Sequence, residues 1–284
     1  MCKFPKGILA IPVIALLGLH AAAASPVNCL GANCTISAPG TSLRYDADNS
    51  GTSIDPELRE FTLGGVDHLF EQEIEVLMRD SAGNPLSNQP FDLDSFNIFL
   101  TQAFADEAAD TISLGFAGAG LQIDQVLSLH GGDIASLDQS LTVTNTSNSV
   151  IDLSLFFYTD WDLNGVDNND ISRYDPASNT FFQHSGGVTA SVRSLTPPDF
   201  YDTTLGSGET PIIGTDFSNH LQNRGGPIGP GDARNAFEYR ITLDPNANSV
   251  VRINSTLVPE PATLALLLSG LGALGFTRRR LKRA

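Results

Sequence analysis

The sequence predicts an all-β body, an antiparallel β-sandwich, set between an apolar leader and an apolar, basic tail. Three observations carry this expectation. Short runs that alternate apolar and polar residues recur along the chain. Clusters of Gly, Asn, Asp, Ser and Thr separate them. Long amphipathic helical patterns do not occur, which leaves two packed sheets as the way to bury the apolar faces. Roughly 230 residues between leader and tail are enough for a substantial core as one large or two small domains.

The leader comes first. Lys3 and Lys6 precede an apolar stretch from Ile8 to Leu19, too short for a comfortable membrane span and right for the core of a signal peptide. Ala22 and Ala24 offer small side chains at the −3 and −1 sites, so residues 1–24 are expected to be removed and the mature chain to begin at Ser25. Cys2 lies in the removed piece, and no small-residue lipobox precedes Cys29. Cys29 and Cys34 remain, five residues apart. In an oxidising compartment they are expected to close a small disulfide loop; metal ligation is the alternative, without further cysteines or nearby histidines to complete a site.

Residues 25–70 read as loops with short strands. Glu73 to Met78 is a strand, followed by turn chemistry over Asp80 to Pro85. Phe96, Ile98 and Leu100 alternate with Asn97 and Phe99. Residues 104–120 leave room for a short helix. Leu121, Ile123, Leu127 and Leu129 keep a period of two, with Gln125 as the polar exception, and Gly131-Gly132 ends the run. Leu141 to Thr144, a turn over Asn145 to Ser149, and the alternation of Ile151, Leu153, Leu155 and Phe157 read together as a hairpin. Residues 196–232 read as long loops rich in Gly, Pro and Asn. Ala236 to Leu243 and Ser249 to Ile253 read as a second hairpin across Asp244 to Asn248. No repeat of fixed period occurs.

Charge limits the partners. Between leader and tail there are nine basic residues, all arginine, against 31 acids, a balance of −22. Such a body would be repelled by a phosphate backbone, so nucleic acid is not expected as a partner. The balance favours solubility and attraction for divalent cations; the other reading is that the charge only keeps the surface solvated. One cluster concentrates the acids: Asp160, Asp162, Asn164, Asp167 and Asp170, opening as D-x-D-x-N-G. Oxygen ligands at every second position followed by glycine are how a calcium loop begins. The twelfth position, however, is Ile171 where a helix-flanked calcium loop has a bidentate Glu. Two readings stay open, a Ca2+ loop between strands and a polar turn that needs no metal.

Other constellations carry no chemistry. His68, His130, His184 and His220 show no metal-binding spacing, and neither a nucleophile elbow nor a phosphate-binding glycine loop is present. The pair Asp92 and Asp94 is of the kind chance supplies among 31 acids. Tyr158, Trp161, Phe181 and Phe182 are read as core, with a sugar-stacking face as the other possibility.

The tail is the most specific segment. Pro259-Glu260-Pro261 fixes an extended, exposed backbone, because each proline locks its own φ and disfavours helix at the residue before it. Ala262 to Phe276 follows, 15 residues without a charge, then Arg278, Arg279, Arg280, Lys282 and Arg283. As a helix the run reaches ~22 Å against a hydrocarbon core of ~30 Å, a marginal single transmembrane helix. The basic cluster keeps its end in the cytoplasm, which places the body outside.

Val258-Pro259-Glu260-Pro261, Ser269-Gly270-Leu271-Gly272 and Arg278-Arg279-Arg280 together resemble the PEP-CTERM sorting signal of Gram-negative bacteria. The segment from Leu141 to Asp162 is similar, more weakly, to sandwich domains that such proteins carry. The resemblance implies a leader (1–24), an exported body (25–257) and a sorting signal (258–284). It also implies handling by the general secretory machinery and signal peptidase, then processing by exosortase, a membrane-embedded protease with a catalytic cysteine. Its family context implies exopolysaccharide and biofilm association. The body is expected to be non-catalytic, a carbohydrate or Ca2+ binder at the cell surface or in the matrix; a secreted glycan hydrolase is the alternative.

Overall fold

The computed structural model describes residues 26–47, 56–79, 91–93, 97–166, 169–206 and 220–259. Ala22, Ala24, Ser25, Asp94, Asp167, Glu260, Pro261 and the apolar run of the tail lie outside them. Among the described residues no helix is long and apolar enough to cross a membrane.

The described residues form nineteen strands. The first seven are β1 (Val27–Asn28), β2 (Asn33–Ala38), β3 (Thr41–Asp46), β4 (Glu57–Leu63), β5 (Val66–Asp67), β6 (Glu71–Arg79) and β7 (Phe91–Asp92). The middle of the chain gives β8 (Ile98–Asp106), β9 (Thr111–Gly118), β10 (Leu121–His130), β11 (Ala135–Asn145) and β12 (Ile151–Asp160). Then come β13 (Asp170–Asp175), β14 (Thr180–Ser185), β15 (Val188–Ser194), β16 (Phe200–Leu205) and β17 (Ile228–Gly231). Two long strands, β18 (Ala233–Leu243) and β19 (Asn248–Pro259), close the fold.

These strands make two antiparallel sheets packed as a sandwich. One has ten strands in the order β1-β8-β9-β10-β11-β19-β15-β14-β13-β17. The other runs β16-β18-β12-β6-β4-β3-β2, with β5 added to β4 and β7 to β6. Alternation sets which side chains point inward. On β10 these are Leu121, Ile123, Gln125, Leu127 and Leu129. The polar exception has a partner: Gln125 donates to Oε1 of Gln139 on β11, and Gln139 exchanges two amide hydrogen bonds of 2.8 and 3.0 Å with Gln72 on β6 of the opposite sheet. A buried amide group is stable only when paired, so these three residues fix how the sheets face each other.

Four expectations are corrected. Residues 104–120 hold no helix; they are the end of β8, a turn and β9. Gly118 explains part of this. Its φ is +154°, and a Cβ there would stand 1.7 Å from the carbonyl oxygen of Asn97, so the sequence that looks helical is glycine-dependent strand. The region read as long loops contains β16 and β17. Neither expected hairpin forms. β11 pairs with β10 and β19 in one sheet, while β12 pairs with β6 and β18 in the other. β18 and β19 likewise belong to different sheets. Both connections are arches over the end of the sandwich, because long strands with buried residues on their inner faces gain more by covering each other than by lying side by side.

A single core fills the space between the sheets. Trp161 packs on Phe61 with ring centres 5.9 Å apart, and Phe181 on Phe237 at 4.8 Å. Trp161, Tyr158 and Phe181 are buried, and Phe182 lies half-buried beneath the Arg173 guanidinium, so these rings form no open stacking face. Cys29 and Cys34, both buried, are joined as a disulfide between β1 and β2. The domain boundary expected after residue 257 falls inside β19, which continues through Pro259.

Candidate functional site

The acidic loop joins β12 to β13. Asp160, the last residue of β12, lies directly opposite Arg234 of β18. Its Oδ2 is 3.2 Å from the Arg234 Nε and accepts a 3.3 Å hydrogen bond from the Tyr158 hydroxyl. Burial pushes the Asp160 carboxyl up to about 7, reinforced by Asp232 and opposed by Arg234. Asp162 and Asp232 complete a group of three carboxylates whose oxygens lie within 4.8 Å of one another. Arg234 reaches Asp232 as well, at 3.4 Å. A fixed guanidinium therefore already serves two of the three acids.

The rest of the expected ligand set does not converge on this group. The chain makes a single 3-10 turn at Leu163–Gly165, where Asn164 adopts a left-handed conformation with φ 65°. That turn directs the Asn164 amide to the carbonyl of Ser185 at 2.8 Å, and its backbone N–H to Nδ1 of buried His68 at 3.0 Å. A Cβ on Gly186 would stand 2.6 Å from the same amide, so the neighbouring hairpin turn accommodates Asn164 only with glycine. Asp170 opens β13, is buried, and accepts from Nε2 of Gln183 at 2.8 Å; burial raises its carboxyl to about 6. Asp167 lies outside the described residues. Asp160 and Asp162 come together, while Asn164 and Asp170 are engaged elsewhere.

The outer face of the nine-stranded sheet carries further charged groups that sequence reasoning missed. Glu238 of β18 is fully buried and accepts from Ser154 Oγ at 2.8 Å and from the Leu221 N–H at 2.9 Å. Arg79 and Arg240 stand 3.9 and 3.7 Å from the same carboxylate. Asp202 of β16 accepts from Arg224 Nε at 2.8 Å and from its Nη2 at 2.5 Å. Around them Leu77, Phe156, Tyr158, Leu221 and Ala236 form a small second apolar cluster. The available signal was alternation: β12 carries apolar residues on both faces, which marks a sheet covered on both sides.

A groove of about 910 Å³ opens at the end of the sandwich where β19 finishes. Leu63, Val66, Ile134, Val188, Val258 and Pro259 line it, and Val66 and Ile134 are 44% and 50% exposed. Val258 and Pro259 pair with Thr189 and Val188 of β15. The first residue of the Pro-Glu-Pro segment is thus part of both the sheet and the groove's wall.

A family model described as the PEP-CTERM protein-sorting motif matches residues 257–283. The chain carries that motif, which implies an exported, exosortase-processed protein. No curated protein matches the sequence. Among solved structures, a bacterial glucoamylase complexed with acarbose is similar with a TM-score of 0.51 at 10% identity, over 89% of this chain and 36% of its own. A galactose mutarotase-like protein from Lactobacillus casei ATCC 334 is similar with a TM-score of 0.50 at 9% identity, over 79% of this chain and 99% of its own. The chain spans little more than a third of the glucoamylase's length. At such identities these likenesses establish the two-sheet fold and nothing of the chemistry.

Proposed function

We propose that this chain is a non-catalytic protein of the cell surface or extracellular matrix, delivered through the exosortase route, whose sandwich binds exopolysaccharide. The observation that carries the reading is the sorting motif running on directly from β19: Pro259 is at once the last paired strand residue and the first proline of the motif. The leader is removed between Ala24 and Ser25 by signal peptidase after passage through the general secretory machinery. The tail holds the body outside the inner membrane until exosortase acts.

A glycan is the ligand class to test first, because the two-sheet fold is shared with proteins whose names concern sugars. The non-catalytic reading is supported by the engagement of the described carboxylates. Asp160, Asp202 and Glu238 each answer an arginine, which ties up their charge. The test is to incubate the purified, exported protein with exopolysaccharide from the producing cell. Co-sedimentation without release of reducing sugar agrees with the proposal. Steady release of sugar would instead identify a secreted glycan hydrolase.

A further inference from the structure

A separate group of acids stands at one end of the outer face of the nine-stranded sheet. Glu57 opens β4, and Glu71 opens β6. The pair Leu58↔Gln72 sets their register. Leu58 and Gln72 both point into the core, one in the apolar cluster and the other bonded to Gln139. Their neighbours Glu57, Glu71 and Glu73 therefore share the opposite face. One carboxylate oxygen from each lies within 4.8 Å of the other two.

Such a group is unfavourable as it stands. Like charges across neighbouring strands repel, and charges removed from water need partners. Glu57 is 2% exposed and Glu71 6%. Arg59 pairs with Oε1 of Glu57. The other oxygen, Oε2, is buried and meets no N–H or hydroxyl donor; beyond Arg59, the Glu57 carboxyl faces the Glu71 carboxyl, with which it shares a side-chain hydrogen bond. Burial, then the Glu71 carboxyl, push the Glu57 carboxyl up to about 9, as befits an acid with too little positive charge beside it. Unlike Asp160, it has no buried guanidinium fixed between it and its fellow acids.

The sequence adds an independent observation. Glu57 is the twelfth residue of a stretch that opens Asp46-Ala47-Asp48-Asn49-Ser50-Gly51. Oxygen-bearing side chains at positions one, three and five, glycine at six and Glu at twelve are the spacing of a calcium loop. The structure brings the two ends of this stretch together, since Asp46 pairs with Glu57 across β3 and β4. Residues 48–55 lie outside the described ones, and no part of the site is assigned to them.

We propose that Glu57, Glu71 and Glu73 form a divalent cation site that takes calcium. The donors are all hard oxygens, with no histidine or thiol in the group, which selects against zinc and copper. Calcium tolerates irregular carboxylate geometry and bidentate Glu, whereas magnesium demands a near-ideal octahedron. This site does not depend on the export reading, and binding is expected whether or not the tail is processed.

The test uses the full chain in detergent, stripped with a chelator and titrated with CaCl2 by calorimetry, with thermal melting alongside. One calcium ion is expected to bind and raise the melting temperature. Glu57→Gln and Glu71→Gln should each weaken binding at least tenfold and abolish the thermal shift. Asp162→Asn, in the neighbouring acid group, should leave both unchanged. If either buried variant misfolds by circular dichroism, Glu73→Gln, the most exposed of the three, decides in its place. The proposal is overturned by a stripped protein that takes up no calcium. Binding unchanged in the glutamate variants, binding lost in Asp162→Asn, or magnesium bound as tightly as calcium would overturn it equally.

Discussion

Asn145 donates its side-chain amide to the main-chain carbonyl of Leu243, 2.9 Å away and 98 residues along the chain. The same amide reaches the Ser149 carbonyl at 2.7 Å, and its oxygen accepts from the backbone and hydroxyl of Ser147. The main chain of Asn145 bonds Ala247 and Asn246 in both directions at 2.9 Å. One buried residue thus ties the arch from β11 to β12 onto the arch from β18 to β19.

Asn145→Ala is therefore expected to destabilise the protein by about 1–3 kcal/mol, because it strands the buried Leu243 carbonyl and frees the turn through Ser147 and Ser149. Asn145→Asp should be no better, since a carboxylate cannot donate. Urea unfolding measures this, and a loss below about 0.5 kcal/mol would mean the arches hold without the residue.

The arches also show where the sequence stopped being legible. Strand positions and inward faces could be read from alternation, as on β10 and β12. Turn residues at 145–149 and 244–248 say only that the chain reverses. Whether it returns beside its own sheet or crosses to the other depends on which distant strand offers a better partner, and β19 lies more than a hundred residues from β11. The site was half legible for the same reason. Asp160 and Asp162 were visible in their loop, but Asp232 lies just before β18 and Arg234 within it, about seventy residues further on. Glu238 was hidden in a strand that reads as an ordinary alternation.

The glutamine contact between the sheets gives a second expectation. Gln139→Leu alone should cost about 1–3 kcal/mol, because Gln72 and Gln125 are left buried with unmet groups. Replacing Gln72 and Gln139 together with leucine should recover much of that loss. A double-mutant cycle by denaturant unfolding checks it; strictly additive losses would show that the amides do not act as a unit.

Glu238 sets a pH dependence. Burial holds its carboxyl above the ordinary value near 4.5, despite the Leu221 N–H, the Ser154 hydroxyl and two arginines that favour the charge. The folded state therefore binds this proton more tightly than the unfolded chain. Its stabilising contribution is complete below about pH 4.5 and is lost as pH rises through the raised folded value. Glu238→Gln should lose less stability than the parent between pH 4.5 and neutrality. Melting temperatures of both proteins across that range decide the matter, and parallel curves would contradict it.

Pro259 fixes the last expectation. Exosortase acts on a tail whose first motif residue is held in β19 against Val188, so the released protein should keep Val258 and Pro259 and lose the apolar run and the arginines. Replacing Pro259, Glu260 and Pro261 with alanines should leave the chain uncleaved in the inner membrane. The most direct measurement is intact and peptide mass spectrometry of the protein recovered outside the cell. The account predicts a chain that begins at Ser25 and ends at or shortly beyond Pro259. A peptide continuing through Leu266 to Arg278 in that material would contradict it.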